Sequence, residues 1–323
     1  MDWGSVCRLY LQRVPTSSLG PRAVSLIESQ INFPVDQTAS VRKGFRGRWL
    51  LALIVVLFGA ASAYAVVWYH RFYHHVTPQE LSHEVRHSTF QASIRQGSIV
   101  TLQVYQQSNA REQPLVFFTS GDGGWSPFCA DIAAHIAATG KTVVGFNSKD
   151  YLVSFASSQR PISANELTRD YEEMINAAAM LPGVAGRARL VLAGWSLGAG
   201  YSVLVATDPI VRERMDRVVA ISLPVYDELA WKPTDALIYI THGTPREKVF
   251  DARQFVTKLD PVPIVILNAT DDDTSPSRES QSLFDLTPGP KRLYMVKASG
   301  HHFEGGEAEF YRDLDEALVF NHS

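Results

Sequence analysis

"RLVLAGWSLGAG", Arg189 to Gly200, is the stretch on which the reading of this chain turns. Leu190–Ala193 is a short apolar run, the pattern of a strand buried on both faces. It runs into Gly194-Trp195-Ser196-Leu197-Gly198, which matches G-x-S-x-G, and then into small residues that begin a helix. In that pattern the serine stands on a sharp strand-to-helix turn. Side chains at the two flanking positions would clash there, so both are glycine. A serine in an ordinary glycine-rich turn would look the same, so the surrounding chain has to decide.

Outward from this turn, apolar runs alternate with helical patterns. Thr89 to Gln107 alternates apolar and polar residues around Gly97 and reads as a β-hairpin. Leu115–Thr119, Lys141–Asn147, Leu190–Ala193, Arg217–Leu223, Ala236–Gly243, Pro263–Ala269 and Arg292–Ala298 read as strands. Helices are expected over Pro127–Ala138, after the Ser163/Glu166 capping box, from Leu197 to about Thr207, and near Glu307–Phe320. This order predicts an α/β domain with a mostly parallel sheet covered by helices on both faces.

A serine hydroxyl needs a base, and the base needs an orienting carboxylate. On such a sheet the chain order is Ser, then Asp or Glu, then His, each in a loop after a strand. Asp271, Asp272 and Asp273 follow one strand, and His301 and His302 follow the last. Asp272 lies four residues before Pro276 and is the first choice, with Asp273 the alternate. His301 directly follows Gly300 and is preferred over His302, which could instead pack or bind substrate. An oxyanion needs preorganised N–H donors. Leu197 and the loop Gly121-Asp122-Gly123 are the candidates. The Asp122 carboxylate would point away, cap the next helix or meet a cation. Trp125, Trp195, Asp150 and Glu304 are candidates for substrate contact. No G-K-[ST] follows the glycine loop, and no Cys pair is present, so neither cofactor nor metal is expected.

With 323 residues, 20% charged and a net charge of -3, the chain shows no basic stripe for nucleic acid. Trp49–Tyr69 carries no charge and is long enough to span a bilayer as a helix. Arg42, Lys43, Arg46 and Arg48 precede it, which places residues 1–48 in the cytoplasm as a flexible tail. The expected plan is a single inner-membrane span over 49–69, a His-rich linker over 70–88 and a periplasmic domain over 89–323. A cleaved signal peptide is the alternative, because Ala60–Ala65 holds small-x-small patterns. Cys7 and Cys129 then lie on opposite sides of the membrane, and Cys129 reads as a buried thiol.

"SGDGGW", "VVGFNSKDYL", "LVLAGWSLGAG" and "SGHHFEGG" together resemble the VirJ/AcvB family of bacterial virulence proteins over about Pro114–Phe320. The resemblance implies an exported α/β-hydrolase-like domain. It also implies a serine site at Ser196 with Asp271–Asp273 and His301 or His302, and an association with virulence and type IV secretion. For some members it implies hydrolysis of aminoacyl-phosphatidylglycerol. A lipid or small ester substrate and an envelope or secretion partner are therefore expected. The competing expectations are a non-catalytic assembly factor on the same fold and a generic carboxylesterase or thioesterase. Family members commonly carry Gly-Ala-Asp where this chain has Gly198-Ala199-Gly200, and a Trp is missing from Tyr151-Leu152-Val153.

Overall fold

The computed structural model describes residues 52–64, 85–107, 114–156, 160–182, 184, 189–230 and 249–320. The chain divides into two units, Met1–Val67 and Trp68–Ser323. In the first, residues 52–64 form a helix with exposed apolar side chains such as Leu57 and Phe58. No helix of the described residues is long and apolar enough to cross a membrane. The ends of the expected span, the 1–48 tail, the histidines before Val85 and the expected strand over Ala236–Gly243 lie outside the described residues.

The second unit is built on an eight-stranded sheet. In chain order it runs β1 (Val85–Ile94), β2 (Ser98–Gln107), β3 (Leu115–Thr119), α1 (Pro127–Ala138), β4 (Val143–Phe146), α2 (Ser148–Phe155) and α3 (Ala164–Ala178). Then come β5 (Leu190–Trp195), α4 (Leu197–Ala206), α5 (Pro209–Arg212), β6 (Met215–Ile221), β7 (Tyr226–Glu228), β8 (Val249–Asp251) and α6 (Arg253–Val256). The chain closes with β9 (Ile264–Asp271), α7 (Ser277–Leu286), β10 (Lys291–Ser299) and α8 (Glu307–Ala317). The sheet order is β1-β2-β4-β3-β5-β6-β9-β10, and β7 and β8 form a separate antiparallel pair. β1, β2 and β4 are joined antiparallel, and every other neighbouring pair is parallel. The chain steps outward from β3 to β4 and then back past β3 to β5, so the crevice of a topological switch opens between β3 and β5.

The apolar runs follow from burial on both sheet faces. Leu190 and Leu192 of β5 point into one core with Phe117, Tyr171, Met174 and Leu204. Val191, Ala193 and Trp195 point into the other with Phe118, Phe128, Ile132, Phe310 and Leu314. Strands that meet solvent read differently. β1 begins at Val85, four residues inside the stretch expected to be linker, with Arg86, His87 and Ser88 exposed. His87 stacks on Tyr105 of β2 at 4.5 Å between ring centroids, so pairing with β2 extends the strand where apolar alternation fades.

The hairpin tip is fixed to the second layer. Arg95 Nε donates to Asp170 of α3 at 2.6 Å, Arg95 Nη2 donates to the Tyr151 hydroxyl at 3.1 Å, and the guanidinium lies 4.9 Å from the Phe155 ring centroid. Tyr151 also donates to Asp170. Tyr151 and Leu152, in the segment that lacks the Trp, are therefore core residues, and of the three only Val153 is exposed.

Candidate active site

Ser196 joins β5 to α4 at φ 55° and ψ -124°, a conformation that L-residues rarely adopt. Such a residue costs about 1–3 kcal/mol and persists only where its surroundings hold it. Here the Ser196 N–H donates to the Ile221 carbonyl of β6 at 2.9 Å, and the Ser196 carbonyl accepts from Ala199 at 2.8 Å. A Cβ on Gly194 would run into the Gly198 carbonyl, and one on Gly198 into the Thr119 carbonyl of β3. The two glycines thus let strand, turn and neighbouring strand approach at backbone contact. Ser196 itself is 7% exposed.

The loop after β3 meets this turn directly. A Cβ on Gly121 would stand 3.3 Å from Ser196 Cβ and 3.0 Å from the Trp195 ring. The Gly121 carbonyl accepts from Ser148 Oγ at 2.6 Å, from the Gly124 N–H at 2.9 Å and from Ser120 Oγ at 3.1 Å. Because the peptide is planar and trans, its N–H points opposite its carbonyl. The Asp122 N–H is therefore turned away from Ser148. The Ser120 and Ser148 hydroxyls were missing from the sequence reading. Ser120 adjoins the glycine loop but Ser148 lies 28 residues on, at the start of α2, so no local signal joins them. Asp122 does not cap the following helix: Ser126 does, accepting from the Cys129 N–H at 3.3 Å. Cys129 is fully buried, and burial raises its thiol pKa.

Beyond β6 on the same side as β5, β9 ends at Asp271 and β10 leads into His301. His301 Nδ1 donates to Asp272 at 2.9 Å to Oδ2 and 3.1 Å to Oδ1. Asp272 Oδ1 also accepts from the Thr274 and Ser275 N–H groups at 2.9 and 2.8 Å, and Asn268 Nδ2 braces the same turn through the Ser275 carbonyl at 2.9 Å. Asp271 and Asp273 are exposed. Burial alone would raise the Asp272 pKa, but His301 and the two backbone N–H groups outweigh it and hold the carboxyl below the usual range. Burial alone would lower the His301 pKa, but Asp272 outweighs it, with smaller contributions from Asp122 and Asp273, and the net shift is upward. His301 Nε2 has no hydrogen-bond partner.

Trp195 is buried; its Nε1 donates to the His301 carbonyl at 3.1 Å, so it braces the histidine loop. His302 packs edge-on to Phe128 at 5.2 Å and beside Trp195 at 4.8 Å. Trp125 lies over Gly145 of β4 and beside Phe118 at 5.8 Å. Asp150 is exposed in the first turn of α2, where Asn147 donates to it at 2.7 Å. Glu304 pairs through its backbone with Ser299, and its carboxylate fills the space in front of Gly300. Gly123 is exposed at the loop tip with open space before it. The Leu197 N–H lies in the first turn of α4, where helix donors have no intrahelical acceptor. The described residues hold no group of three metal-binding side chains.

Residues 113–318 match the family described as bacterial virulence protein (VirJ). The chain belongs to that family. None of the curated proteins compared matches this VirJ-family chain. Solved structures resemble it at the level of fold. Est1E from Butyrivibrio proteoclasticus is 14% identical with a TM-score of 0.52, covering 72% of this chain and 97% of its own. The α/β hydrolase GrgF from Penicillium sp. sh18 is 15% identical with a TM-score of 0.52, covering 73% and 100%. A dienelactone hydrolase from Anabaena variabilis is 14% identical with a TM-score of 0.54, covering 73% and 98%. The VirJ-family chain therefore has an α/β-hydrolase fold.

Proposed function

We propose that the chain is a serine hydrolase that cleaves an ester, aminoacyl-phosphatidylglycerol being the leading candidate. It would be held at the outer face of the inner membrane by a span over 49–69. The observation that carries this reading is the combination of a strained, buried Ser196 at the switch point with a His301–Asp272 pair whose Nε2 is unengaged. In the proposed reaction Ser196 Oγ attacks the ester carbonyl while His301 Nε2 takes its proton. Asp272 stabilises the resulting imidazolium and fixes the tautomer. The N–H groups of Leu197 and Asp122 receive the oxyanion. Collapse breaks the bond to the alcohol, which leaves with the proton from His301. Water then repeats the two steps on the acyl-serine. The VirJ family membership supports an envelope setting, and a tether would raise the local concentration of domain at the lipid surface.

The test is labelling of the full chain by a fluorophosphonate, in wild-type and S196A forms, followed by incubation with aminoacyl-phosphatidylglycerol vesicles. Wild type is expected to label and to release free amino acid, and S196A to do neither. Labelling that persists in S196A, or is absent from wild type, overturns the serine mechanism and favours a non-catalytic assembly factor. Labelling without release of amino acid keeps the hydrolase and discards this lipid for a simpler ester or thioester.

A further inference from the structure

A cavity of about 510 Å³ opens at the end of the sheet where β5, β6 and β9 begin, opposite the end that carries Ser196 and His301. Met215, the first residue of β6, lies in its wall, and Ile221, the last, offers its carbonyl to the Ser196 N–H. At about 3.3 Å per residue, the length of β6 holds the two ends about 20 Å apart. The crevice of an open parallel sheet lies at the carboxyl ends of its strands, so this cavity is a separate feature. Its volume falls within the roughly 300–1,000 Å³ of small-molecule sites.

Met215, Pro261, Val262, Pro263 and Phe320 give the cavity an apolar lining. Arg189, Arg212 and Arg217 face Glu213 and Asp216 there, a surplus of one positive charge. Arg217 is 5% exposed and fully engaged within the protein. Its Nε and Nη2 donate to Asp216 at 2.9 and 2.6 Å, and its Nη1 to the Ala317 and Phe320 carbonyls at the end of α8. Arg189, exposed, draws on the same carboxylate with Nε 3.0 Å from Oδ1, and its Nη2 donates to the Met215 carbonyl at 2.8 Å. Arg212 has no carboxylate partner among the described residues. Its Nη2 donates to the Thr207 and Lys258 carbonyls, and its buried Nε donates to nothing. One carboxylate thus answers two guanidiniums and none answers the third. The Nη1 of Arg189 and that of Arg212 make no hydrogen bond among the described residues. Ile210, two residues before Arg212, and Val319, next to Phe320, are 66% and 60% exposed, so bare apolar side chains adjoin two of the lining residues.

We infer that this cavity is a second ligand site and that it takes a phosphate group carried on an apolar body. Guanidinium forks match the oxygens of carboxylates and phosphates. A planar carboxylate fills one fork, whereas a tetrahedral phosphate offers oxygens in several directions. It can therefore engage Arg189, at the start of β5, and Arg212, at the end of α5, together. The apolar lining receives the rest of the molecule, which inorganic phosphate lacks. The same chemistry belongs to a soluble organic phosphate and to a phospholipid headgroup whose chains would lie along Ile210 and Val319. The inference is independent of the hydrolase reading, because neither arginine takes part in the catalytic site.

The test is calorimetric titration of the full chain carrying S196A, so that no ester is consumed. Phenyl phosphate stands for the soluble source, and dihexanoyl phosphatidic acid below its micellar concentration for the headgroup. At least one is expected to bind about tenfold more tightly than inorganic phosphate. R189Q and R212Q are each expected to weaken that binding about tenfold, the scale of one charge-assisted contact. R212Q also removes bonds to two carbonyls that tie α5 to its surroundings. R189Q keeps the decision open to test if R212Q does not fold, because Asp216 retains Arg217 when Arg189 is replaced. Tighter binding of the phosphatidic acid, lost in R189Q, supports the site and assigns it to a lipid. Tighter binding of phenyl phosphate, lost in the same variant, supports it and assigns it to a soluble ester. No binding of either, binding no tighter than that of inorganic phosphate, or an affinity that R189Q leaves unchanged overturns the inference.

Discussion

Replacing Asp272 by Asn keeps the shape of the turn and removes one charge, which makes it the sharpest probe of the pair. At the observed 2.9 Å, a full charge pair in an effective dielectric near 20 is worth about 6 kcal/mol. That is the stabilisation the imidazolium formed during attack on the ester would lose, and it corresponds to about four powers of ten in rate. The amide also offers the ring an N–H in place of a lone pair, which favours the wrong tautomer. The pH dependence has a definite sign. His301 acts as base only when neutral, and Asp272 raises its pKa, so the acidic limb of kcat/KM in wild type lies above the ordinary histidine value of about 6.5. In D272N the raising charge is gone and the lowering effect of burial stays, so the limb moves to lower pH. Asp273 is exposed and acts on His301 only at a distance, so D273N should shift the limb slightly downward and keep kcat/KM within about threefold. The assay is hydrolysis of p-nitrophenyl butyrate from pH 5 to 9. The reasoning fails if D272N keeps more than about a tenth of the activity, if its limb does not move, or if D273N loses as much.

Two further outcomes follow from contacts outside the pair. In S148A the Gly121 carbonyl loses its shortest bond, the 2.6 Å one, but keeps those from Gly124 and Ser120. Steady-state kinetics should show kcat down about tenfold, less than the hundredfold or more of deleting an oxyanion donor, with KM little changed; an unchanged kcat would remove Ser148 as a positioning residue. In R95M the Asp170 carboxylate, 3% exposed, loses its cation. Urea unfolding should register a loss of about 3 kcal/mol, part of which D170N restores in the double variant; a loss below about 1 kcal/mol would mean that the pair holds nothing together.

The parts of the fold that are legible in sequence are those whose physics is local. β3, β5, β6 and β9 read as apolar runs because successive side chains enter opposite cores, leaving no polar face to interrupt them. The start of β1 is obscured for the opposite reason: Arg86 to Thr89 are exposed on both faces of that strand, and only its ladder with β2 makes Val85–Ser88 a strand. The His–Asp pairing is intermediate. Spacing to Pro276 and to Gly300 names Asp272 and His301, but their contact spans 29 residues and depends on β9 and β10 lying side by side.

The contrast between Ser196 and Asp227 carries this furthest. The turn at Ser196 is a steric demand made by adjacent residues on one another, so it has to be written as glycines at fixed spacing, and it can be seen without the fold. Its cost of about 1–3 kcal/mol is matched by burial of a single neighbour such as Leu197 or Leu192, worth about 1.5–3 kcal/mol each. Asp227 places no demand on its sequence neighbours: Val225 and Leu229 are buried around it as they would be around any short strand. Its place is set only where β7 meets β8 and the carboxylate comes to rest over Gly200. A side chain at position 200 and a carboxylate from position 227 exclude each other, so a Gly200→Asp exchange made in isolation should be poorly tolerated, and one combined with Asp227→Gly far better. Gly200 is thus half of a pair, and its other half could be found only in three dimensions.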